Sequence, residues 1–317
     1  MIKPFGALIP CLAIISCSSI SNHISGQPSS SMNQNYSVMQ GKAARFSPVN
    51  LLNGITKKEF KLNHDIAYGQ HPRQKLDVYM PLGQGSNSLA KPVILFIYGG
   101  AWTTGHKDDY LFVGESFSKA GYVTAVMNYR LAPQYQYPEY VKDTALALKW
   151  IGDNIQQYGG DPKQIVVMGH SAGAFNAVEA VDNQRWLDEV KLPISHIKAV
   201  VGIAGPYSYD FRTDGSVNAF PVESTPDQVM PDRHIRADAP PHLLLTASND
   251  QRVKLSNTQK MFAALKKQNI PVQHEVIEGA NHVSIMASVA SRLSWYKPTR
   301  EVILNFLDQT LKQQKSQ

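Results

Sequence analysis

Five consecutive residues, Gly169, His170, Ser171, Ala172 and Gly173, lie between an apolar run from Ile165 to Met168 and a stretch of helical periodicity from Ala172 to Asn183. A serine with a glycine two positions away on each side suits a sharp strand-to-helix turn. The crowded backbone there admits only small residues, and the turn lifts the hydroxyl above a sheet. The amide that follows, that of Ala172, then sits at a helix N-terminus and is placed to donate to a developing oxyanion. A serine hydroxyl is a poor nucleophile near neutral pH. It needs an imidazole to take its proton and a carboxylate to fix the imidazole's tautomer. Ten histidines are available. The bland alternative is a glycine-rich turn with an incidental serine, and the strand and helix patterns on either side argue against it.

Two more stretches belong with this one: YGGDP at 158–162, which leads into the run before Ser171, and NYRLAP at 128–133. With them the chain from about residue 60 onward resembles the α/β-hydrolase superfamily. It is most similar to the esterase branch that includes hormone-sensitive-lipase-like carboxylesterases, arylformamidases and prenylcysteine methylesterases. The resemblance implies a chain order of nucleophile, acid and histidine, with the acid after a late strand and the histidine on a loop beyond the last one. His282, in EGANHVSI just past Val272 to Ile277, stands where the base belongs, and Asp250, ending HLLLTASND, where the acid belongs. His274 lies within a strand pattern, and His196, His234 and His242 fall too early. Asp210, Asp214, Asp232 and Asp238 precede the acid's strand and read as loop or capping residues, and Asp143 reads as structural on its helix.

The resemblance also implies an oxyanion loop in VILFIYGGAW at 93–102, where relatives carry His-Gly-Gly-Gly or His-Gly-Gly-X-Trp. Tyr98 replaces the histidine, a variant that prenylcysteine-methylesterase-like sequences resemble, and Ala101 stands at the third small position. The implied donors are the amides of Gly100 and Ala101, with Gly99 assisting, alongside Ala172. Tyr98 is expected to buttress the loop with its ring and hydroxyl. Trp102, His170 and Tyr207 are the pocket candidates. Trp102 would serve equally as a wedge under the loop, and His170, at the variable motif position, equally as a side chain turned away from the nucleophile. The implied reaction is hydrolysis of small to medium carboxylic esters through an acyl-enzyme on Ser171, with no cofactor and no metal. Arylformamidase or other amide hydrolysis uses the same triad, and a non-catalytic envelope binding module on a hydrolase shell is the alternative of another class.

Positioning such residues takes a sheet and its helices. Apolar runs at Ile66–Gly69, Lys75–Met80, Val93–Tyr98, Val123–Asn128, Ile165–Gly169, Ala199–Ala204, Leu243–Ala247 and Val272–Ile277 read as strands. Most are continuous rather than alternating, as in strands covered on both faces of a parallel sheet. Helical patterns fall at Tyr110–Ala120, Glu139–Tyr158, Ala172–Asn183, Leu255–Gln268 and Arg300–Lys312. The expected fold is a three-layer α/β/α sandwich around a mostly parallel eight-stranded sheet. Residues 205–240, rich in Pro, Asp and aromatics without periodicity, are expected to form a lid or pocket wall.

Hydrophobic residues make up 43% and charged residues 18% of the 317, which excludes both a disordered chain and a membrane-embedded bundle. The net charge of +6 is scattered, which suits anionic lipid or an acidic envelope and shows none of the basic striping of nucleic-acid binding. Lys3 and the apolar run Phe5 to Ile15 read as a signal peptide, too short to span a bilayer. Ile14, Ile15, Ser16 and Cys17 resemble a bacterial lipobox. Residues 1–16 would then be removed, Cys17 lipidated, and residues 17–58 would tether the catalytic domain, 59–317, to the cell envelope. Soluble secretion is the alternative. Cys11 and Cys17 are the only cysteines, so the catalytic domain has no disulfide, thiolate nucleophile or cysteine zinc site. Oligomeric state is not legible.

Overall fold

The structure, a computed structural model, describes residues 49–83 and 89–313. The expected signal peptide, Cys17 and the tether as far as residue 48 lie outside the described residues. A 3₁₀ turn, Asn50–Ile55, leads into β1 (Phe60–Ala67), β2 (Lys75–Pro81) and β3 (Lys91–Ile97). A second 3₁₀ turn, Lys107–Tyr110, runs into α1 (Leu111–Lys119), then β4 (Val123–Met127), α2 (Glu139–Asn154), β5 (Gly160–His170), α3 (Ala172–Asp182), the short α4 (Gln184–Glu189) and β6 (Ile197–Ile203). An irregular stretch holding α5 (Pro226–Val229) precedes β7 (His242–Ala247), α6 (Leu255–Lys267), β8 (Val272–Ile277), α7 (Ser284–Ala287) and α8 (Thr299–Gln313).

All eight strands form one sheet in the order β1-β2-β4-β3-β5-β6-β7-β8. β1 and β2 are antiparallel to each other, β2 is antiparallel to β4, and every other neighbouring pair is parallel. The chain steps one way from β3 through α1 to β4 and the opposite way from β4 through α2 to β5. Right-handed crossovers therefore put α1 on one face and α2, α3 and α6 on the other. α8 joins α1, where the Arg300 guanidinium donates to the Ser116 hydroxyl and carbonyl. Residues 93–97, all of β4 and all of β7 are buried, as a sheet covered on both faces requires. Each such Val, Leu or Ile contributes about 1.5–3 kcal/mol of burial, so the centre of the sheet is the rigid part. That centre is what carries Ser171.

The strands and helices fall where the periodicity places them, with differences at the edges. β1 begins at Phe60 and not at Ile66, because it is a half-exposed edge strand whose polar FKLNHD half hides it, and its register slips between Asn63 and Ile66. β5 begins at Gly160, since the YGGDP turn itself pairs with β3 at Lys91 before an irregularity. The expected helix through Tyr158 becomes 3₁₀ at Ile155–Tyr158 and stops at Gly159, whose φ of 80° is left-handed. Residues 49–58, assigned from sequence to the tether, include a turn docked on the domain: the Asn53 side chain donates to the Asp108 carbonyl and accepts from the Phe112 amide.

Residues 205–240 hold aromatic side chains that pack on α2, α3 and Trp102. Phe220 stacks on Phe211 with ring centroids 4.3 Å apart and meets Trp102 and Phe175 edge-on. The Ala219 carbonyl accepts from the Tyr137 amide and the Tyr140 hydroxyl. His234 Nδ1 lies 2.9 Å from Glu179 on α3.

Candidate active site

Ser171 is the N-cap of α3 at the C-terminal end of β5, with φ 54° and ψ −124°, a conformation that costs a non-glycine residue about 1–3 kcal/mol. The strained turn is held from both sides: the Ser171 amide donates to the Ile203 carbonyl of β6 at 2.8 Å, and its own carbonyl receives the Ala174 amide at 2.9 Å. The two motif glycines are steric requirements. A Cβ on Gly169 would stand 2.1 Å from the Gly173 carbonyl oxygen, and one on Gly173 would stand 2.1 Å from the Ile97 carbonyl oxygen. The elbow thus packs backbone on backbone against β3. Ser171 itself stays partly exposed.

Beyond β8 the chain turns back and brings His282 over the elbow. Its Nε2 lies 2.9 Å from Ser171 Oγ and its Nδ1 2.8 Å from Asp250 Oδ2. The other Asp250 oxygen accepts the amides of Arg252 and Val253, which fixes the carboxylate plane in the loop after β7. Burial pushes the Asp250 carboxyl up, but the His282 bond, helped by those amides, holds it below its ordinary value. An ionised Asp250 fixes the proton on Nδ1 and leaves the Nε2 lone pair facing the serine. Both side chains are nearly buried, at 2% and 8% exposure, so the chain of hydrogen bonds is largely shielded from water.

The loop after β3 lies beside this chain. A Cβ on Gly99 would stand 2.8 Å from Ser171 Cβ, so glycine is what lets the loop approach the nucleophile. The Gly100 carbonyl receives the amides of Thr103 and Thr104, closing a tight turn. Gly100 and Ala101, with Gly99 beside them, are the loop's candidate donors alongside Ala172 at the head of α3.

The three pocket candidates lie deeper than a lining position requires. Trp102 is 2% exposed, donates from Nε1 to Asn176 Oδ1 at 2.8 Å and stacks on Tyr140, so it is a wedge between the loop and α3. Tyr207 is fully buried against β6, where a Cβ on Gly202 would meet its hydroxyl at 1.9 Å. His170 backs the base. Its Nε2 lies 3.0 Å from the His282 carbonyl oxygen, the two rings are 4.9 Å apart, and burial, then the charge of His282, pushes it down to about 3. Neutral at working pH, it donates to the His282 loop without competing for the serine's proton.

Among the described residues, His64, Asp77 and Asp108 offer ligand atoms within 4.8 Å of one another, a spacing a metal ion can bridge. The Lys107 ammonium, however, lies 2.8 Å from an oxygen of each aspartate and neutralises part of that charge itself. Asp143 accepts from Arg130 and Gln74, and His242 lies beside the Pro240 carbonyl and His274 beside the Thr246 hydroxyl, all away from Ser171.

Residues 76–265, more than half of the chain, match the family model described as BD-FAE. The chain belongs to the BD-FAE family. This BD-FAE chain is 29% identical over 249 residues to a probable isoprenylcysteine α-carbonyl methylesterase of Arabidopsis thaliana, covering 71% of this chain and 51% of that relative. It is 27% identical over 281 residues to the esterase LipQ of Mycobacterium tuberculosis, covering 80% and 66%. The chain thus spans about half the length of the plant relative. Among solved structures, esterase B of Lactobacillus rhamnosus superposes with a TM-score of 0.71 at 17% identity, covering 90% of this chain and 96% of that one. Esterase 2 of Thermogutta terrifontis superposes with a TM-score of 0.64 at 22% identity, covering 80% and 95%. At these identities the likeness is one of fold, and the fold is that of the α/β-hydrolases.

Sequence reasoning missed the polar residues behind the site. Asn176 sits one turn into α3 with nothing in its pattern to mark it, and Asn128, inside the quoted NYRLAP, stood out only as part of a marker. Asn128 binds Tyr98, Lys107 and Tyr68, and NYRLAP was the one signal pointing to it.

Proposed function

We propose that the protein is a serine carboxylesterase acting on small to medium carboxylic esters. The observation that carries this reading is the unbroken run Ser171 Oγ, His282 Nε2, His282 Nδ1, Asp250 Oδ2, with contacts of 2.9 and 2.8 Å at its two ends, on a strained turn. His282 takes the serine proton as Oγ attacks the ester carbonyl. Asp250 stabilises the imidazolium that forms, and the amides of Ala172, Gly100 and Ala101 receive the oxyanion. His282 then protonates the leaving alcohol. In the second half the same imidazole activates water, which releases the acid and restores Ser171. None of these steps requires a cofactor or metal.

The relatives named as esterases, and one named as a methylesterase, support an ester over an amide. Export and lipid attachment at Cys17 remain part of the proposal, on the sequence pattern alone. Conversion of Cys17→Ala should abolish incorporation of labelled fatty acid, and unchanged incorporation would refute the anchor.

The test of the function is a kinetic comparison on the purified protein of acyl esters from acetate to octanoate, N-formylkynurenine and matched anilides. Higher kcat/KM on esters is the expected outcome. A preference of about tenfold or more for the formamide or the amides, roughly 1.4 kcal/mol of transition-state binding, would replace the reading with an amidohydrolase.

A further inference from the structure

The loop carrying the candidate oxyanion donors is strained over three successive residues, with φ of 135° at Gly100, 49° at Ala101 and 60° at Trp102. Two of the three are not glycine, and such conformations persist only where the surroundings over-determine them. The hydrogen bonds to the Gly100 carbonyl close the turn locally, and Trp102, bonded to Asn176 and through its carbonyl to the Ala132 amide, anchors its middle. Its two ends are Tyr98, just after β3, and Gly105, before the Lys107–Tyr110 turn.

Arg73, from the connection between β1 and β2, reaches both ends. One terminal nitrogen donates to the Tyr98 hydroxyl at 2.6 Å and to the Gly105 carbonyl at 3.0 Å. Its Nε donates to the Tyr129 carbonyl at 2.7 Å, and the Tyr129 hydroxyl donates back to the Tyr98 carbonyl at 3.0 Å. The Tyr98 hydroxyl donates onward to Asn128 Oδ1 at 3.1 Å, which also accepts the Lys107 amide at 2.8 Å. Burial, against the pull of Arg73, pushes the Tyr98 phenol up to about 12, so it stays protonated and can accept and donate at once. Its ring stacks between Tyr129 and Tyr110, with centroids at 4.7 and 5.5 Å, and a Cβ on Gly105 would stand 2.6 Å from that ring.

We propose that Arg73 is a positioning residue for the oxyanion hole, its guanidinium joining the two ends of the 98–105 loop and so holding the Gly100 and Ala101 amides over Ser171. The inference rests on reading that loop as the oxyanion site. Arg73 lies outside residues 76–265, the part of the chain the family model matches. Three acceptors, two at the ends of one loop and the third after β4, call for a planar, forked donor, which lysine's single ammonium does not replace. In this arrangement the tyrosine at the position of the usual histidine is the acceptor that lets an arginine from outside the motif take hold of the loop.

An oxyanion exists only in the transition state and the intermediates, so loosening its donors lowers kcat and leaves substrate binding alone. Steady-state kinetics on p-nitrophenyl butyrate, with thermal unfolding in parallel, test this on Arg73→Met, Arg73→Lys and Tyr98→Phe. Loss of a whole donor costs about 10²-fold to 10³-fold, and misplacing donors should cost less. Arg73→Met should lower kcat about 10-fold to 100-fold with KM within about twofold, and Tyr98→Phe about 3-fold to 10-fold. The Arg73→Met/Tyr98→Phe double variant should fall by less than the product of the two single losses, because the two share the Arg73–Tyr98 contact. A folded Arg73→Met with kcat within about twofold of wild type, or a loss carried by KM, would overturn the proposal. If Arg73→Met does not fold, normal kcat in both Arg73→Lys and Tyr98→Phe would overturn it equally. Failure of the esterase reading itself is separable: the wild-type protein would then turn over no ester.

Discussion

Replacing Asp250 by asparagine isolates the electrostatic part of the site. The new side chain would keep an oxygen for the Arg252 and Val253 amides, so the loop after β7 should hold its shape. The other end of the amide would be an NH₂ group facing His282 Nδ1 across the present 2.8 Å contact. That group can only donate. It would force the imidazole into the tautomer with the proton on Nε2, leaving no lone pair to accept the Ser171 proton. A triad with the wrong tautomer loses about 10⁴-fold in kcat, which corresponds to about 5.4 kcal/mol at 1.36 kcal/mol per decade. The assay is initial-rate hydrolysis of p-nitrophenyl butyrate at pH 7–8, with circular dichroism to establish that the variant is folded. A folded Asp250→Asn protein within about tenfold of wild type would mean that another carboxylate orients His282, and the assignment of Asp250 would fall.

Lys107 is fully buried between Asp77 and two more exposed aspartates, so Lys107→Met should destabilise the fold by about 3–5 kcal/mol in urea titration, by leaving Asp77 an uncompensated buried charge. Adding Asp77→Asn should recover part of that loss, and no recovery would mean the ammonium's role is packing. Asn176→Ala leaves the buried Trp102 indole without its acceptor and should cost about 1–3 kcal/mol, measured as a fall in unfolding free energy. At His234, burial pushes the imidazole down, but the bond and charge of Glu179, with Asp227 and Asp232, outweigh it and raise the value. A raised folded value contributes stability that is fully present below the unfolded value of about 6.5 and is lost as the pH climbs through the folded one. The gap in Tm between wild type and His234→Gln should therefore be wider at pH 6 than at pH 9, and a gap independent of pH would refute the ion pair.

The parts of the site that are legible in the sequence are those dictated by backbone geometry. Gly169 and Gly173 are forced by a clash of backbone on backbone, and the continuous apolar strands β3 to β7 are forced by burial on both faces, so both leave marks in one dimension. Asp250 and His282 became legible through the chain order that the α/β-hydrolase resemblance implies, each following the end of a parallel strand. The polar supports did not. Arg73 lies 25 positions before Tyr98, and Glu179 lies 55 positions before His234; neither pairing has a period. The orientation of the pocket candidates is hidden for a related reason: Trp102 and Tyr207 stand next to the motif and the sixth strand in sequence, and adjacency does not say which way a side chain turns. Both turn into the core.

The central claim is that Ser171, partnered by His282, is a nucleophile. Incubating the purified protein with a fluorophosphonate, then measuring intact mass and mapping the modified peptide, tests it most directly. One adduct per chain on Ser171 is expected, absent in Ser171→Ala and strongly slowed in His282→Ala. Folded protein that forms no adduct, or forms it at another serine at an undiminished rate in Ser171→Ala, would contradict it.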